Sequence, residues 1–298
     1  MLRKLIGNTP IVRLNDRLYV KLETYNPSGS IKDRMAYYIL TKAEEQGKIK
    51  PGDTIVEASS GNTGISFSML GAAKGYKVKI IMPYNMSCER KQMMKAYGAE
   101  IIEVGASDFS GAITLRDVIC EENKDHFAPK QFSNPDNIEC HEVTTGKEIA
   151  MSLLFSQIDA FVSGAGTGGT IMGVSRALKK IYGNIKTVLV QPVESAKEHG
   201  IQGINDGEDF LVDKSKLDDI IEIKTEEAKE RTIKLAKENG LLVGISSGAN
   251  VLAAERWIEK NNPDGVVVTI LCDRGERYLS CLDEKKTTEE IKGDFNDY

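Results

Sequence analysis

Short apolar runs at residues 54–57, 78–82, 100–104, 158–162, 188–190 and 266–271 take turns with stretches whose apolar side chains recur every three or four positions. Those stretches lie at 35–46, 64–74, 87–97, 110–123, 147–155, 171–180 and 248–260. Brief runs that are apolar throughout, alternating with helices long enough to cross back, predict parallel sheets covered on both faces. Gly75 and Gly98 each close a helical stretch directly before the next strand, the place of a left-handed C-terminal cap. The fold class is therefore α/β. With no repeat and no low-complexity linker between the units, a division into two domains has to be a compact one with a cleft.

Composition narrows the partners. The 298 residues, 41% hydrophobic and 28% charged, suffice for a sizeable core in one large or two joined domains. A net charge of −5 and the lack of a long basic run argue against nucleic acid and for a small-molecule partner. No stretch offers about 18 uninterrupted apolar residues, and the first residues lack the apolar core of a signal peptide, so no membrane is expected and the cytoplasm is the default. The five cysteines, Cys88, Cys120, Cys140, Cys272 and Cys281, show no C-x-x-C pairing, which disfavours a disulfide framework and a metal site. His126, His141 and His199 are scattered and read as surface or satisfied structural histidines.

Three loops carry candidate chemistry at the carboxyl ends of strands, where ligands bind in doubly wound sheets. Gly166-Thr167-Gly168-Gly169-Thr170 lies between a strand and a helix start, so backbone N–H groups and the helix dipole can cradle an anion without cationic side chains. Gly164, Gly166 and Gly169 also satisfy the spacing of a dinucleotide site, with Glu194 available for a ribose. On spacing alone a dinucleotide, another phosphate and a plain structural turn all fit. Ala58 to Gly64 gathers hydroxyls, an amide and free N–H groups before a helix, which suits a carboxylate. The turn from Asn26 to Arg34 delivers Lys32 to the start of a helix, where the dipole opposes its charge and lowers its pKa. Such a lysine is either a nucleophilic amine or a solvated first-turn residue.

Together these segments resemble the cysteine synthase family, the O-acetylserine sulfhydrylase and cystathionine β-synthase group of fold-type II pyridoxal-phosphate enzymes, which are tryptophan synthase β-like. The resemblance runs from Ile6-Gly7-Asn8-Thr9-Pro10-Ile11-Val12-Arg13-Leu14 through Met82-Pro83, Glu89-Arg90-Lys91 and Lys95-Ala96-Tyr97-Gly98-Ala99-Glu100 to Gly275-Glu276-Arg277-Tyr278-Leu279-Ser280. It implies two compact three-layer α/β domains, each with a largely parallel sheet, and the cofactor in the cleft between them. Residues 35–134 with 1–10 correspond to a smaller mobile domain, 11–34 and 135–282 to a larger domain, and 283–298 to a tail.

The resemblance also implies roles. Lys32 forms the internal aldimine with pyridoxal 5'-phosphate and later moves protons at the substrate α-carbon. Asn62 bonds the cofactor's ring oxygen, Gly166, Thr167, Gly168, Gly169 and Thr170 hold its phosphate, and Ser246 meets the pyridine nitrogen. A hydroxyl at that nitrogen weakens the electron sink and favours prompt loss of a β-substituent. Ser59, Ser60, Thr63 and Gln131 grip the substrate carboxylate, a grip that closes the smaller domain. The implied chemistry is β-replacement or β-elimination on a cysteine- or serine-type amino acid through an aminoacrylate, in a homodimer. Sulfide as the second nucleophile gives cysteine, homocysteine gives cystathionine and water gives serine; a serine or threonine dehydratase is a further form. A nicotinamide-dependent oxidoreductase using Gly164, Gly166, Gly169 and Glu194 is the alternative from another class.

Two positions depart from the family's pattern. Its cleft loop commonly reads Gln-Gly-Ile-Gly-Ala-Gly, whereas this chain has Gln202-Gly203-Ile204-Asn205-Asp206-Gly207. A carboxylate there disfavours an approaching hydrosulfide anion at 4 Å by at most about 4 kcal/mol, at an effective dielectric constant of about 20. Neutral water suffers far less, and Asp206 can serve as its general base. That points to L-cysteine and water as substrates, giving L-serine and hydrogen sulfide; an exposed turn carboxylate is the plain alternative. The second departure is Arg274, where the family commonly has serine, and the sequence assigns it no role.

Overall fold

A computed structural model describes residues 2–59, 61–195, 198–204 and 210–282. Asp206, Ser60 and the tail from residue 283 onward lie outside the described residues. The chain opens with β1 (Ile11–Arg13), β2 (Leu18–Leu22) and α1 (Lys32–Glu45). It continues through β3 (Thr54–Ala58), α2 (Asn62–Lys74), β4 (Lys77–Pro83), α3 (Cys88–Ala96), β5 (Glu100–Val104), α4 (Phe109–Glu122) and β6 (His126–Phe127). A long helical segment follows, made of α5 (Asp136–His141), one wide π-type turn (Glu142–Gly146) and α6 (Lys147–Ser152). The rest is β7 (Ile158–Gly164), α7 (Gly169–Tyr182), β8 (Lys186–Pro192), β9 (Asp219–Ile223), α8 (Thr225–Asn239), α9 (Ile245–Asn261), β10 (Val266–Leu271) and α10 (Leu279–Leu282).

Two sheets result, as the alternation predicts. The larger runs β1-β2-β10-β7-β8-β9, parallel except for the β1–β2 pair, and the smaller is the parallel set β5-β4-β3-β6. Side chains on central strands alternate between two packed layers. Ala160, Val162, Val188, Val190 and Val267 face α8 and α9 through Ala228, Leu235, Ala249 and Val251. Phe161, Leu189, Val268 and Ile270 face the other way, onto Ile138, Ile149, Ile171, Val174 and Leu178. Truncating a fully buried residue such as Phe161 costs about 3–5 kcal/mol, so these layers fix the larger sheet firmly. The smaller sheet is covered likewise: Ile55, Val78 and Ile80 pack with Met35, Ile39 and Leu40 of α1, while Val56, Ala58 and Ile81 pack with Ala112 of α4.

Gly75 caps α2 at φ 79°, and Gly98 also has positive φ, at 86°. Four strands and the helices α8 and α10 escaped the pattern reading. β1 and β6 are too short to show a period, β2 carries the polar pair Tyr19 and Lys21, and β9 is an edge strand with alternate residues exposed. α8 is so charged, TEEAKERTIKLAKEN, that its narrow apolar stripe does not stand out. The helix predicted at 147–155 begins much earlier, at Asp136 after Pro135, and ends at Ser152.

Candidate active site

The turn before α1 is over-determined. Asp33 accepts the Ser28 backbone N–H (2.7 Å), the Ser28 hydroxyl (2.5 Å) and the Ser66 hydroxyl (2.6 Å), and the Ile31 N–H donates to the Cys272 carbonyl (2.9 Å). Arg34 is fully engaged by Glu23 (2.7 Å) and Glu148 (2.6 Å), and buried Lys21 donates to Glu148 (2.7 Å). Burial alone would raise the pKa of Glu148, but the Arg34 hydrogen bonds and charge, with Lys21, hold it down at about 2. Lys32, between these two anchored neighbours, faces a cleft at the carboxyl edges of both sheets.

Two adjoining cavities form that cleft. One is lined by Lys32, Asn62, the loop from Gly164 to Gly168, Thr170, Ser246 and Cys272, the other by Lys32, Ser59, Asn62, Thr63 and Gln131. They share Lys32, Asn62, Gly166, Thr167 and Gly203. The residues singled out in the sequence thus converge, apart from Gly169, which packs behind the loop, and Ser60 and Asp206, which fall outside the described residues. Gln202 and Gly203, at the head of the loop that leads to Asp206, line the first cavity.

On the larger-sheet side, Gly168 adopts φ 91°, and a Cβ there would stand 2.8 Å from the Val212 backbone nitrogen. A Cβ on Gly169 would come 2.0 Å from Asn137 Oδ1. Gly168 is required by its positive φ and by the nearby backbone, whereas a Cβ on Gly169 would push the Asn137 amide out of its place. Ser246 sits in the first turn of α9 beside Cys272, whose thiol is pushed up to about 12 by burial and by the Asp273 charge, with Lys32 and a Ser246 hydrogen bond opposing. Glu194, the ribose candidate of the dinucleotide alternative, instead accepts the Thr225 N–H (2.9 Å) at the start of α8.

On the smaller-sheet side, Ser59 Oγ accepts N–H groups of Gly61 (3.2 Å) and Gly64 (2.9 Å), which keeps its own hydrogen available for a ligand. The Thr63 hydroxyl donates to Gln131 Oε1 (2.6 Å), and Gln131 Nε2 donates to the Ala58 carbonyl (2.8 Å). Buried Glu57, paired with Arg116 (3.1 Å), accepts the Gln131 N–H (3.0 Å). These groups converge as hydroxyl and amide donors suited to a carboxylate.

Several contributors carried no sequence signal beyond lying in quoted motifs. Asn62 is clamped: its Nδ2 donates to Asp273 (2.6 Å) and its Oδ1 accepts from Arg277 (2.5 Å). A carboxylate only accepts and a guanidinium only donates, so the amide has one orientation and keeps one N–H for the cleft. The Tyr278 hydroxyl donates to the same Asp273 oxygen, while Asp273 Oδ1 is buried and has no hydrogen-bond partner among the described residues. Burial and that carboxylate raise the Tyr278 pKa. Arg274 finds a structural use, its Nε donating to the Thr24 carbonyl (2.9 Å).

The profile of the pyridoxal-phosphate dependent enzyme family matches residues 2–273. The chain is 45% identical over 295 residues to a cysteine synthase of Staphylococcus aureus (strain N315), covering 93% of this chain and 94% of that one. Among solved structures, a hydrogen sulfide-producing enzyme from Fusobacterium nucleatum superposes with a TM-score of 0.89 at 41% identity, over 97% of this chain and 93% of that chain. An O-acetylserine dependent cystathionine β-synthase from Helicobacter pylori superposes with a TM-score of 0.88 at 35% identity, over 94% and 97%.

Proposed function

Because this chain belongs to the pyridoxal-phosphate dependent enzymes, and within them is cysteine synthase-like, we propose that it converts L-cysteine and water to L-serine and hydrogen sulfide. The observation that carries this form of the reaction is that Gln202 and Gly203 line the cavity that Lys32 lines, and three residues further along the sequence stands Asp206, a carboxylate where the family's pattern has none.

The residues fit the cofactor. A glycine seat that tolerates no Cβ at Gly168 and Gly169 suits a phosphate, the single remaining Asn62 N–H suits a ring oxygen, and the Ser246 hydroxyl suits the pyridine nitrogen. When bound, pyridoxal phosphate withdraws electrons from the substrate α-carbon and so permits loss of its proton and of a β-substituent.

The chain's own groups then have these tasks. Lys32 would hold the cofactor through its amine and, with that amine free, would move the proton at the substrate α-carbon. Ser59, Ser60, Thr63 and Gln131 hold the carboxylate, drawing the unit of residues 35–134 with 1–10 onto the unit of 11–34 and 135–282 and excluding bulk water. Asp206 takes a proton from the water that adds to the β-carbon and repels a returning hydrosulfide. The enzyme acts in the cytoplasm as a homodimer. Five unpaired thiols suit a reducing compartment, and Met151, Leu154 and the fully exposed Phe155 form an apolar group at the end of α6 that a second copy would cover.

The relatives' names favour a second reading, cysteine synthesis from O-acetylserine and sulfide. Steady-state rates on L-cysteine, L-serine and O-acetylserine, with products identified, separate the two. The proposed form requires serine and sulfide from cysteine, and Asp206→Asn slowing serine formation at least tenfold while sulfide release persists. Unchanged serine formation in that variant, or cysteine formation dominating in the wild type, rejects it.

A further inference from the structure

Two side chains of α5 lie behind the anion seat. Asn137 and His141 are four residues apart on one helix face, so they project together toward the loop that opens α7. Asn137 Nδ2 lies 3.0 Å from the Gln131 carbonyl and 3.0 Å from Thr167 Oγ1. The carbonyl can only accept, which makes that atom the nitrogen, and its second hydrogen then goes to the threonine. Thr167 Oγ1 also receives the Gly169 N–H at 3.5 Å. With its oxygen an acceptor twice, the hydrogen of the Thr167 hydroxyl has to point away from α5, and the cavity lies on that side.

His141 repeats the arrangement one turn later. It is 1% exposed, with Nδ1 3.0 Å from Thr145 Oγ1 and Nε2 3.3 Å from Thr170 Oγ1. The wide turn Glu142–Gly146 begins directly after it and supplies Thr145. Burial, with the charges of Arg34 and Lys32, holds its pKa well below the ordinary value, so the ring is neutral and one nitrogen carries hydrogen. Hydrogen on Nδ1 would make Thr170 donate to the ring and turn lone pairs toward the seat. Hydrogen on Nε2 lets Thr145 donate to Nδ1 and leaves the Thr170 hydrogen for an anion.

We propose that Asn137 and His141 are positioning residues for the cofactor phosphate, donating to Thr167 and Thr170 from behind so that both hydroxyl hydrogens point into the seat. The proposal rests on the assignment of residues 166–170 to that phosphate, and the two are separable by experiment. Apoprotein is titrated with pyridoxal phosphate and with pyridoxal, which lacks the phosphate, and binding is followed by absorbance. His141→Leu weakens pyridoxal phosphate about tenfold and pyridoxal less than twofold, and His141→Gln, which keeps a donor, recovers most of the loss. Equal weakening of both compounds, or none, overturns the proposal. Wild-type protein that binds the two equally well removes the phosphate seat and the proposal with it. Should the variants not fold, long-range nitrogen–proton NMR of the wild-type holoenzyme decides directly: with three histidines in the chain, His141 has to show hydrogen on Nε2. Hydrogen on Nδ1 overturns the proposal.

Discussion

The two ligand loops share a plan, strand, small-residue turn and helix start, yet they are held in opposite ways. The 164–170 loop is shaped by what glycine permits: positive φ at Gly168, no space for a Cβ at Gly168 or Gly169, and α5 pressed against its back. The 58–64 loop is shaped by side chains that satisfy one another, Ser59 with Gly61 and Gly64, and Thr63 with Gln131. The first cannot yield without straining the backbone at Gly168 or displacing the side chains of α5 behind it. The second can exchange its internal hydrogen bonds for those of a ligand. A permanent cofactor needs the first kind of seat, and a substrate that comes and goes needs the second.

That contrast can be broken at its hinge point first. Lys32→Ala removes an amine that lines both cavities, and turnover should fall at least a thousandfold, with the visible chromophore of the purified protein lost. A normal chromophore in that variant would refute the attachment. Gly168→Ala strikes the rigid seat. Strain of about 1–3 kcal/mol, with the approach to Val212, should weaken cofactor binding about a hundredfold in equilibrium titration and leave the substrate KM of the saturated enzyme within a few-fold.

Glu148→Gln loosens the brace beneath Lys32 and should cost about 2 kcal/mol in chemical denaturation at neutral pH. The folded-state pKa of Glu148, about 2, lies below its usual value, so its stabilisation is present above about pH 4.5 and is lost as pH falls toward 2. The variant's deficit should shrink over that window, and a deficit constant down to pH 2 would contradict the assignment. The mildest change is Ser59→Ala, in the exchangeable seat. Losing one hydroxyl donor should raise KM about tenfold while the cofactor affinity of the resting enzyme stays within twofold.

Much of this was legible in the chain because periodicity and glycine placement are local properties. The parallel sheets, the positive-φ glycines Gly75 and Gly98, the glycine turn before α7 and the lysine at a helix start follow from neighbours in sequence. What stayed hidden depends on distant partners. Nothing about Asp273 reveals that its carboxylate will fix the Asn62 amide, 211 residues away. His141 was legible only as a surface or satisfied structural residue; it is the buried, hydrogen-bonded kind, and that one of its partners is Thr170 of the glycine loop is a fact of packing. The early start of the helical segment at Asp136 was masked by the wide turn Glu142–Gly146, which shifts the apolar stripe out of phase.

One amide touches both seats. Asn137 gives one hydrogen to the main chain of Gln131 and the other to Thr167. The proposed assignment therefore makes this bridge the contact through which occupancy of one seat would act on the other. Free-energy linkage then demands reciprocity: by whatever factor bound cofactor improves the grip on an amino-acid carboxylate, a bound carboxylate must slow the escape of the cofactor or speed its capture in the same overall ratio. On the proposed assignment of the two loops, the enzyme retains its prosthetic group best when its substrate is abundant.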